Sequence, residues 1–278
     1  MDQQQGECLM PEGPEVRIIT DSLASKLTNR KVIDISYLGG RYTKHGLPDG
    51  SAEFCNRLPH TINEVSCKGK FIYVNFDTGW SLWNTLGMSG GWSDKLGKHS
   101  HVKIDLDDGT CIYFNDPRRF GTLKFVKDHV KTLKKLDLLG PDMLAENVDS
   151  IKFSRRIRTK PDKTIAEVLM DQAVICGVGN YLKSESLYFA KISPHRLCKT
   201  LDDNEMDTLN SVIQKVIRQS YHSGGATIYT FQSFEGVKGQ YTRRFAVYNQ
   251  ATDPMGRDVE SFTSPGGRTT FWVPEEQK

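Results

Sequence analysis

A proline and two glutamates share the seven residues "MPEGPEV" at 10–16, and the proline is a candidate nucleophile. If translation starts at Met10 and that methionine is trimmed, Pro11 carries a free secondary amine. An α-amino group titrates near about 7.7–8.0, so a useful fraction is neutral at physiological pH. If residues 1–10 stay attached, the same nitrogen is a tertiary amide with no proton and no nucleophilicity. A Met–Pro start is one from which methionine is readily removed, which favours the free amine. Glu12 and Glu15 suit the first turn of a helix, where acidic side chains meet its positive end.

Other candidates are scattered. Lys70 lies in "CKGKFIYV", with Lys68 two residues before it. Met88 lies in "LGMSG", Arg118 and Phe120 in "DPRRFG", and Asn180 and Lys183 in "GVGNYLKSE". Taken singly, Met88 and Phe120 read as core, Arg118 and Lys70 as surface charge, and Asn180 as a helix cap.

These residues must be positioned by two kinds of structure. Over 14–29, Val16, Ile19, Leu23 and Leu27 recur at helical intervals behind Gly13 and Pro14. From 31 to 126, "KVIDISY", "KFIYVNF", "WSLWNTL", "HVKIDL", "TCIYF" and "GTLKFV" predict short strands of a β-sandwich. Beyond Pro141 the pattern turns helical. A capping box at Thr164–Glu167 predicts a helix through Ile175, "GVGN" a turn, and a second helix follows over about 180–190. A third, at 202–223, carries Met206, Leu209, Ile213 and Val216 on one face. The tail returns to strand character in "YTRRFAVYN" and "GRTTFWV".

The chain has 278 residues and a net charge of +3, room for two domains with separate cores. No stretch approaches the roughly 20 apolar residues of a membrane span, and the first ten residues carry no secretory pattern. A soluble, intracellular protein is expected. The six cysteines include no C-x-x-C pair, which argues against paired zinc ligands and a disulfide framework. Charge is uneven: "KFSRRIRTK" at 152–160 has five basic residues in nine. It reads as a polyanion-binding face or as an ordinary solvated surface.

In this order, "MPEGPEV", "LGMSG", "DPRRFG", "LMDQ…GVGNYLKSE" and the "GRTTFW" end resemble the formamidopyrimidine-DNA glycosylase / endonuclease VIII family of base-excision repair enzymes. The resemblance implies an α+β fold with four parts: an extension (1–10), a catalytic β-sandwich domain with an N-terminal helix (11–140), a helix–two-turn–helix DNA-binding domain (152–239) and a finger hairpin (240–278). It implies a bifunctional glycosylase and abasic-site lyase that acts on damaged DNA as a monomer, without cofactor, in the nucleus or another DNA-containing compartment. Pro11 would be the nucleophile, Glu12 the general acid/base, Glu15 a supporting residue and Lys70 a cation at the reacting sugar. Met88, Arg118 and Phe120 would fill the void left by an extruded base and meet its orphaned partner. Asn180, with Lys183 as an auxiliary, and Arg268 at the hairpin tip would hold phosphates.

Most relatives staple the hairpin with four cysteines around zinc. Here the corresponding stretches, "DPMGRDV" and "TFWVPEEQK", have none, which resembles the zincless subgroup. Phe245, Val247, Phe262, Phe271 and Trp272 would supply apolar support instead. Tyr229 stands where purine-lesion enzymes commonly carry lysine, so oxidised pyrimidines and ring-opened purines are the expected bases. Two rivals remain: a catalytically silent protein that binds lesions or abasic sites, if the extension stays on Pro11, and a structural protein with incidental basic patches.

Overall fold

A computed structural model describes residues 10–226 and 239–278. The chain divides into two compact units, one built on Glu15–Lys134 and the other on Glu12–Pro14, Lys135–Gly225 and Gln240–Lys278.

Helix α1 (Gly13–Leu27) opens the fold. Val16, Ile19, Leu23 and Leu27 are each 3% exposed or less; burial of such side chains contributes on the order of 1.5–3 kcal/mol apiece. β1 (Lys31–Tyr37) leads through two short helices, α2 (Arg41–Lys44) and α3 (Ser51–Cys55), into the remaining strands. These are β2 (His60–Lys68), β3 (Phe71–Phe76), β4 (Trp80–Thr85), β5 (Gly91–Ser93), β6 (Ser100–Leu106), β7 (Cys111–Asn115) and β8 (Thr122–Lys127), followed by helix α4 (His129–Asp137).

The eight strands form one antiparallel sheet ordered β5-β7-β6-β1-β2-β3-β4-β8. β1 and β2 pair only at Lys31↔Thr61 and Val32↔His60, so the sheet has two halves that fold over one core. Val32, Ile104 and Ile112 from one half line the same apolar cavity as Ile62, Val74 and Leu82 from the other, with Leu23 and Leu27 of α1. That is the expected sandwich. β2 and β5 were not legible: β2 alternates Ile62, Val65 and Cys67 with Thr, Asn, Glu and Ser, and β5 has three residues.

The second unit holds α5 (Ser150–Ile157), α6 (Ile165–Val168), α7 (Asn180–Phe189) and α8 (Asp203–His222), then the hairpin β9 (Glu260–Ser264) and β10 (Arg268–Trp272). Within the basic run, Lys152 pairs with Glu146 and Arg158 with Asp203, while Arg155, Arg156 and Lys160 are exposed.

Two expectations are corrected here. The Thr164 capping box is present, with the Glu167 carboxylate accepting from the Thr164 amide, but α6 ends at Val168 instead of running to Ile175. Asp171 redirects the chain: its side chain accepts from Ala173 N and its carbonyl from Val174 N. The stretch 241–249 is not a strand but a 3-10 turn, Tyr241–Arg244, and a loop. The amides of Ala246, Val247 and Tyr248 donate to the buried Glu185 carboxylate, not to a neighbouring strand. The partner of β10 is β9. Among the described residues no helix is long and apolar enough to cross a membrane.

Candidate nucleic-acid repair site

Helix α7 begins after Gly179, a residue with no side chain to cap it. Glu12 supplies the cap from far away in sequence. Its Oε1 accepts from Tyr181 N at 2.8 Å and its Oε2 from Leu182 N at 3.3 Å. The carboxylate is 2% exposed and sits where orphan amides and the helix's positive end favour negative charge. Close approach explains the glycines: a Cβ on Gly179 would collide with Glu12 Cδ, and one on Gly13 would lie 2.8 Å from Gly177 O. Gly13 N also donates to Gly177 O at 2.8 Å. Pro11, the residue before Glu12, is buried.

Glu15 is fully buried, and its Oε1 accepts from Ala226 N at 2.7 Å. It therefore anchors the backbone at Ala226. Tyr229, singled out in the sequence, lies outside the described residues.

The "GVGN" turn is braced by Gln172, whose role the sequence did not announce. Its Oε1 accepts from Gly177 N at 3.1 Å and its Nε2 donates to Val178 O at 2.9 Å. The turn delivers Asn180 to the start of α7, 8% exposed, with Nδ2 donating to Thr269 O at 2.7 Å. Asn180 Oδ1 accepts from Lys183 Nζ at 2.8 Å. Lys183 has no exposed surface, and its Nζ also donates to Thr270 Oγ1 at 2.8 Å. Lys183, expected as an auxiliary phosphate contact, is therefore placed behind Asn180 and holds it. Arg268 is the first residue of β10, just past the Gly266–Gly267 turn, where both glycines have positive φ. The hairpin thus presents Arg268 at its tip, next to the Thr269 carbonyl that binds Asn180.

In the first unit, Lys70 is half-buried in the two-residue turn joining β2 to β3, a turn that starts at Gly69 with φ 58°. Met88, also half-buried, lies in the loop between β4 and β5, and Arg118 and Phe120 lie in the loop between β7 and β8. The Arg118 guanidinium carbon stands 5.5 Å from the centre of the Phe120 ring. Phe120 is 55% exposed. A large aromatic ring left open to solvent under a planar cation is well formed to stack on a base.

Comparison with known proteins identifies the family. Residues 10–123 match the formamidopyrimidine-DNA glycosylase N-terminal domain, and residues 139–232 match the formamidopyrimidine-DNA glycosylase H2TH domain. A formamidopyrimidine-DNA glycosylase of Wolbachia pipientis is 30% identical over 276 residues, covering 95% of this chain and 98% of that one. The chain belongs to the formamidopyrimidine-DNA glycosylase family. The crystal structure of the MutM (Fpg) protein of Thermus thermophilus superposes with a TM-score of 0.84 at 28% identity, over 96% of this chain and 98% of that chain. A Lactococcus lactis Fpg mutant, crystallised with DNA containing Fapy-dG, shares the fold, with a TM-score of 0.83 at 24% identity over 96% of this chain and 100% of that one.

The resemblance places a zinc staple at the hairpin of most family members, but the residues here do not fit one. No cysteine follows Cys198. At the turn, Asp253 Oδ1 accepts from the amides of Met255 and Arg257, each at 2.9 Å. Its Oδ2 accepts from Arg257 Nε at 2.7 Å and Tyr188 Oη at 3.1 Å. A guanidinium thus occupies the buried carboxylate of that turn, and among the described residues no group of three or more His, Cys, Asp or Glu side chains is placed to hold a metal ion. Arg257 also pairs with Glu276, which bonds Lys191 Nζ at 2.7 Å. Burial would raise the Asp253 carboxyl, but the hydrogen bonds from Arg257 outweigh it and hold it below the usual carboxylate range. Glu276 is held low by hydrogen bonds from Lys191 and Arg257. The apolar support expected for the hairpin is present in part, with Val247 and Phe271 packed near Tyr188, Ala246 and Val273. Phe262 and Trp272 instead flank His195.

Proposed function

We propose that this chain, a DNA glycosylase of base-excision repair by family, removes oxidised bases from damaged DNA and then cleaves the strand, with Pro11 as nucleophile. Oxidised pyrimidines and ring-opened purines are the proposed substrates. The proposal requires a Pro11 nitrogen freed of residue 10. The lone pair of that nitrogen attacks C1′ of the damaged nucleotide, and the C1′–base bond breaks with its electron pair going to the departing base. The amine proton passes to Glu12 and from it to O4′ as the C1′–O4′ bond opens, leaving an iminium cation between Pro11 and C1′. That cation draws electrons from the C2′–H bond. Loss of the proton expels the 3′ phosphate, a second elimination expels the 5′ phosphate, and hydrolysis returns the amine. In this reading Lys70, Asn180 and Arg268 hold phosphates, and Met88, Arg118 and Phe120 enter the base stack.

The observation that supports this reading most is the seat of Glu12. Beside Pro11, a buried carboxylate is fixed by two backbone amides at a helix start, which is how a proton carrier is kept in one place. The test is borohydride trapping on DNA with an abasic site, comparing the full chain with one that starts at Met10. A covalent adduct from the shorter form alone is expected. Adducts from both, with intact mass showing residues 1–10 still attached, would assign the chemistry to another amine. Adducts from neither would favour a lesion-binding protein without chemistry. Pro11→Gly and Glu12→Gln are each expected to lose base release, and full activity in both would sink the mechanism.

A further inference from the structure

The three residues proposed to enter the stack come from two loops, and a buried pair ties those loops together. Ser89 follows Met88 directly and is 3% exposed; Asp116 opens the loop that carries Arg118 and Phe120 and is 1% exposed. Ser89 Oγ donates to Asp116 Oδ1 at 2.5 Å and accepts from Arg118 N at 2.9 Å. The hydroxyl is used in both directions, so its rotation is fixed. Asp116 Oδ2 accepts from Gly121 N at 2.7 Å, closing the far end of the same loop around Phe120.

The backbone of Asp116 is held as firmly. Its amide donates to His99 O at 3.0 Å, and its carbonyl accepts from His101 Nε2 at 2.8 Å and Arg119 N at 3.2 Å. On the other loop, Gly90 N donates to Leu86 O at 2.7 Å. Gly87, with φ +60°, packs so closely that a Cβ there would stand 2.6 Å from the Phe120 carbonyl carbon. Met88 is thus set between a glycine pressed on Phe120 and a serine bonded to the Arg118 amide. Neither Ser89 nor Asp116 faces solvent, so neither is placed to touch DNA.

We infer that Ser89 and Asp116 are positioning residues for the Met88, Arg118 and Phe120 wedge, holding the two loops in register so that the three side chains enter a base stack as one body. The inference rests on the reading that these three fill the void in duplex DNA. It separates two steps: the pair matters for opening a duplex and does not matter for chemistry on a strand with no partner. A pair that only stabilised the fold would affect both substrates alike.

The experiment uses one abasic site in two settings, a duplex and a single-stranded oligonucleotide, with single-turnover strand cleavage on the chain starting at Met10. Ser89→Ala is expected to slow cleavage in the duplex by roughly 10- to 100-fold, the scale of a misplacement of about 1 Å, and to leave the single-stranded rate within about twofold. Asp116→Asn keeps the shape but turns an N–H toward either Ser89 or Gly121 and should give the same split. The double variant should be little worse than either single one, because both remove one interaction. Met88→Ala with Arg118→Ala tests the underlying reading. If that variant shows the duplex-only loss and Ser89→Ala does not, or slows both substrates equally, the positioning role is overturned. If Met88→Ala with Arg118→Ala leaves the duplex to single-strand ratio unchanged, the void-filling reading falls and the inference with it. Melting temperatures identify a variant that has merely unfolded, and Ser89→Ala, which removes one hydroxyl, is the variant least exposed to that outcome.

Discussion

Lys183 Nζ lies 2.8 Å from Asn180 Oδ1 in a position with no solvent exposure. A lysine ammonium offers only donors, so this contact fixes which end of the Asn180 amide points inward and leaves Nδ2 for Thr269 O. The same ammonium reaches Thr270, so the start of α7 and the strand that begins with Arg268 are tied through one cation.

Lys183→Met keeps the side-chain length and removes the donors. The Asn180 carbonyl oxygen is then buried without its partner, a loss of about 1–3 kcal/mol, measurable by urea denaturation. Affinity for DNA should fall while the slope of log affinity against log salt stays unchanged, because Lys183 is fully buried behind Asn180. Arg268→Ala should instead lower that slope by about one. A reduced slope for Lys183→Met would return the lysine to the phosphate contacts.

Gly179→Ala tests the placement of Glu12 without touching the carboxylate. The added methyl collides with Glu12 Cδ, and either the carboxylate or the first turn of α7 must move. Abasic-site cleavage under single turnover should drop by on the order of 10²-fold for a shift of about 1 Å. Glu12→Gln should abolish it while retaining one amide acceptor. If Gly179→Ala loses stability but keeps the wild-type rate well below its melting temperature, Glu12 is a helix cap and not a proton carrier.

Gln172→Ala removes both braces of the "GVGN" turn. Gly177 N and Val178 O lose their side-chain partners, so about 1–3 kcal/mol of stability should go. Hydrogen exchange should rise at the amides of 177–182 before it rises in α8. Uniform loosening of the second unit would mean that the brace is not local.

Elements with a strong apolar period were legible in the sequence. α1 and α8 bury the residues their periodicity picks out, and six strands fall where β-branched and aromatic runs stand. Failures occur where side chains take over backbone hydrogen bonding. Glu185 draws three amides out of a stretch that reads as a strand, and Asp171 and Gln172 stop a helix whose composition would let it continue. The candidate site divides the same way. Motif residues such as Glu12, Asn180 and Arg118 were visible, but their supports were not. Ser89, Asp116 and Gln172 sit inside quoted motifs without a signal of their own, because a positioning role is set by contacts distant in sequence. Lys183 was visible but its placement was not, since nothing in "NYLKSE" says that the lysine faces inward.

The turn at 253–258 makes stability depend on acid in a defined direction. Asp253 and Glu276 are both held below the usual carboxylate range in the folded protein. A carboxyl depressed on folding stabilises the protein above its unfolded value, about 3.9 for Asp and 4.3 for Glu, and that contribution fades as pH falls through the lower folded value. Arg257 is raised by its hydrogen bond to Asp253, and also by Glu276 and Tyr188, so it stays charged throughout. Asp253→Asn should therefore destabilise the protein at pH 7, and the difference from wild type in urea denaturation should shrink once pH drops below about 4, where the aspartate of the unfolded chain takes up its proton while the folded one still holds its charge. Glu185 runs the other way: burial raises its carboxyl despite the amides of Ala246, Val247 and Tyr248, so acid should not release that anchor. The expected acid behaviour is early loosening of the 253–276 staple with the 246–248 loop still in place, read by hydrogen exchange across the two segments. A constant Asp253→Asn penalty from pH 7 down to the acid limit would show that the turn is held by its backbone and not by the charge on Asp253.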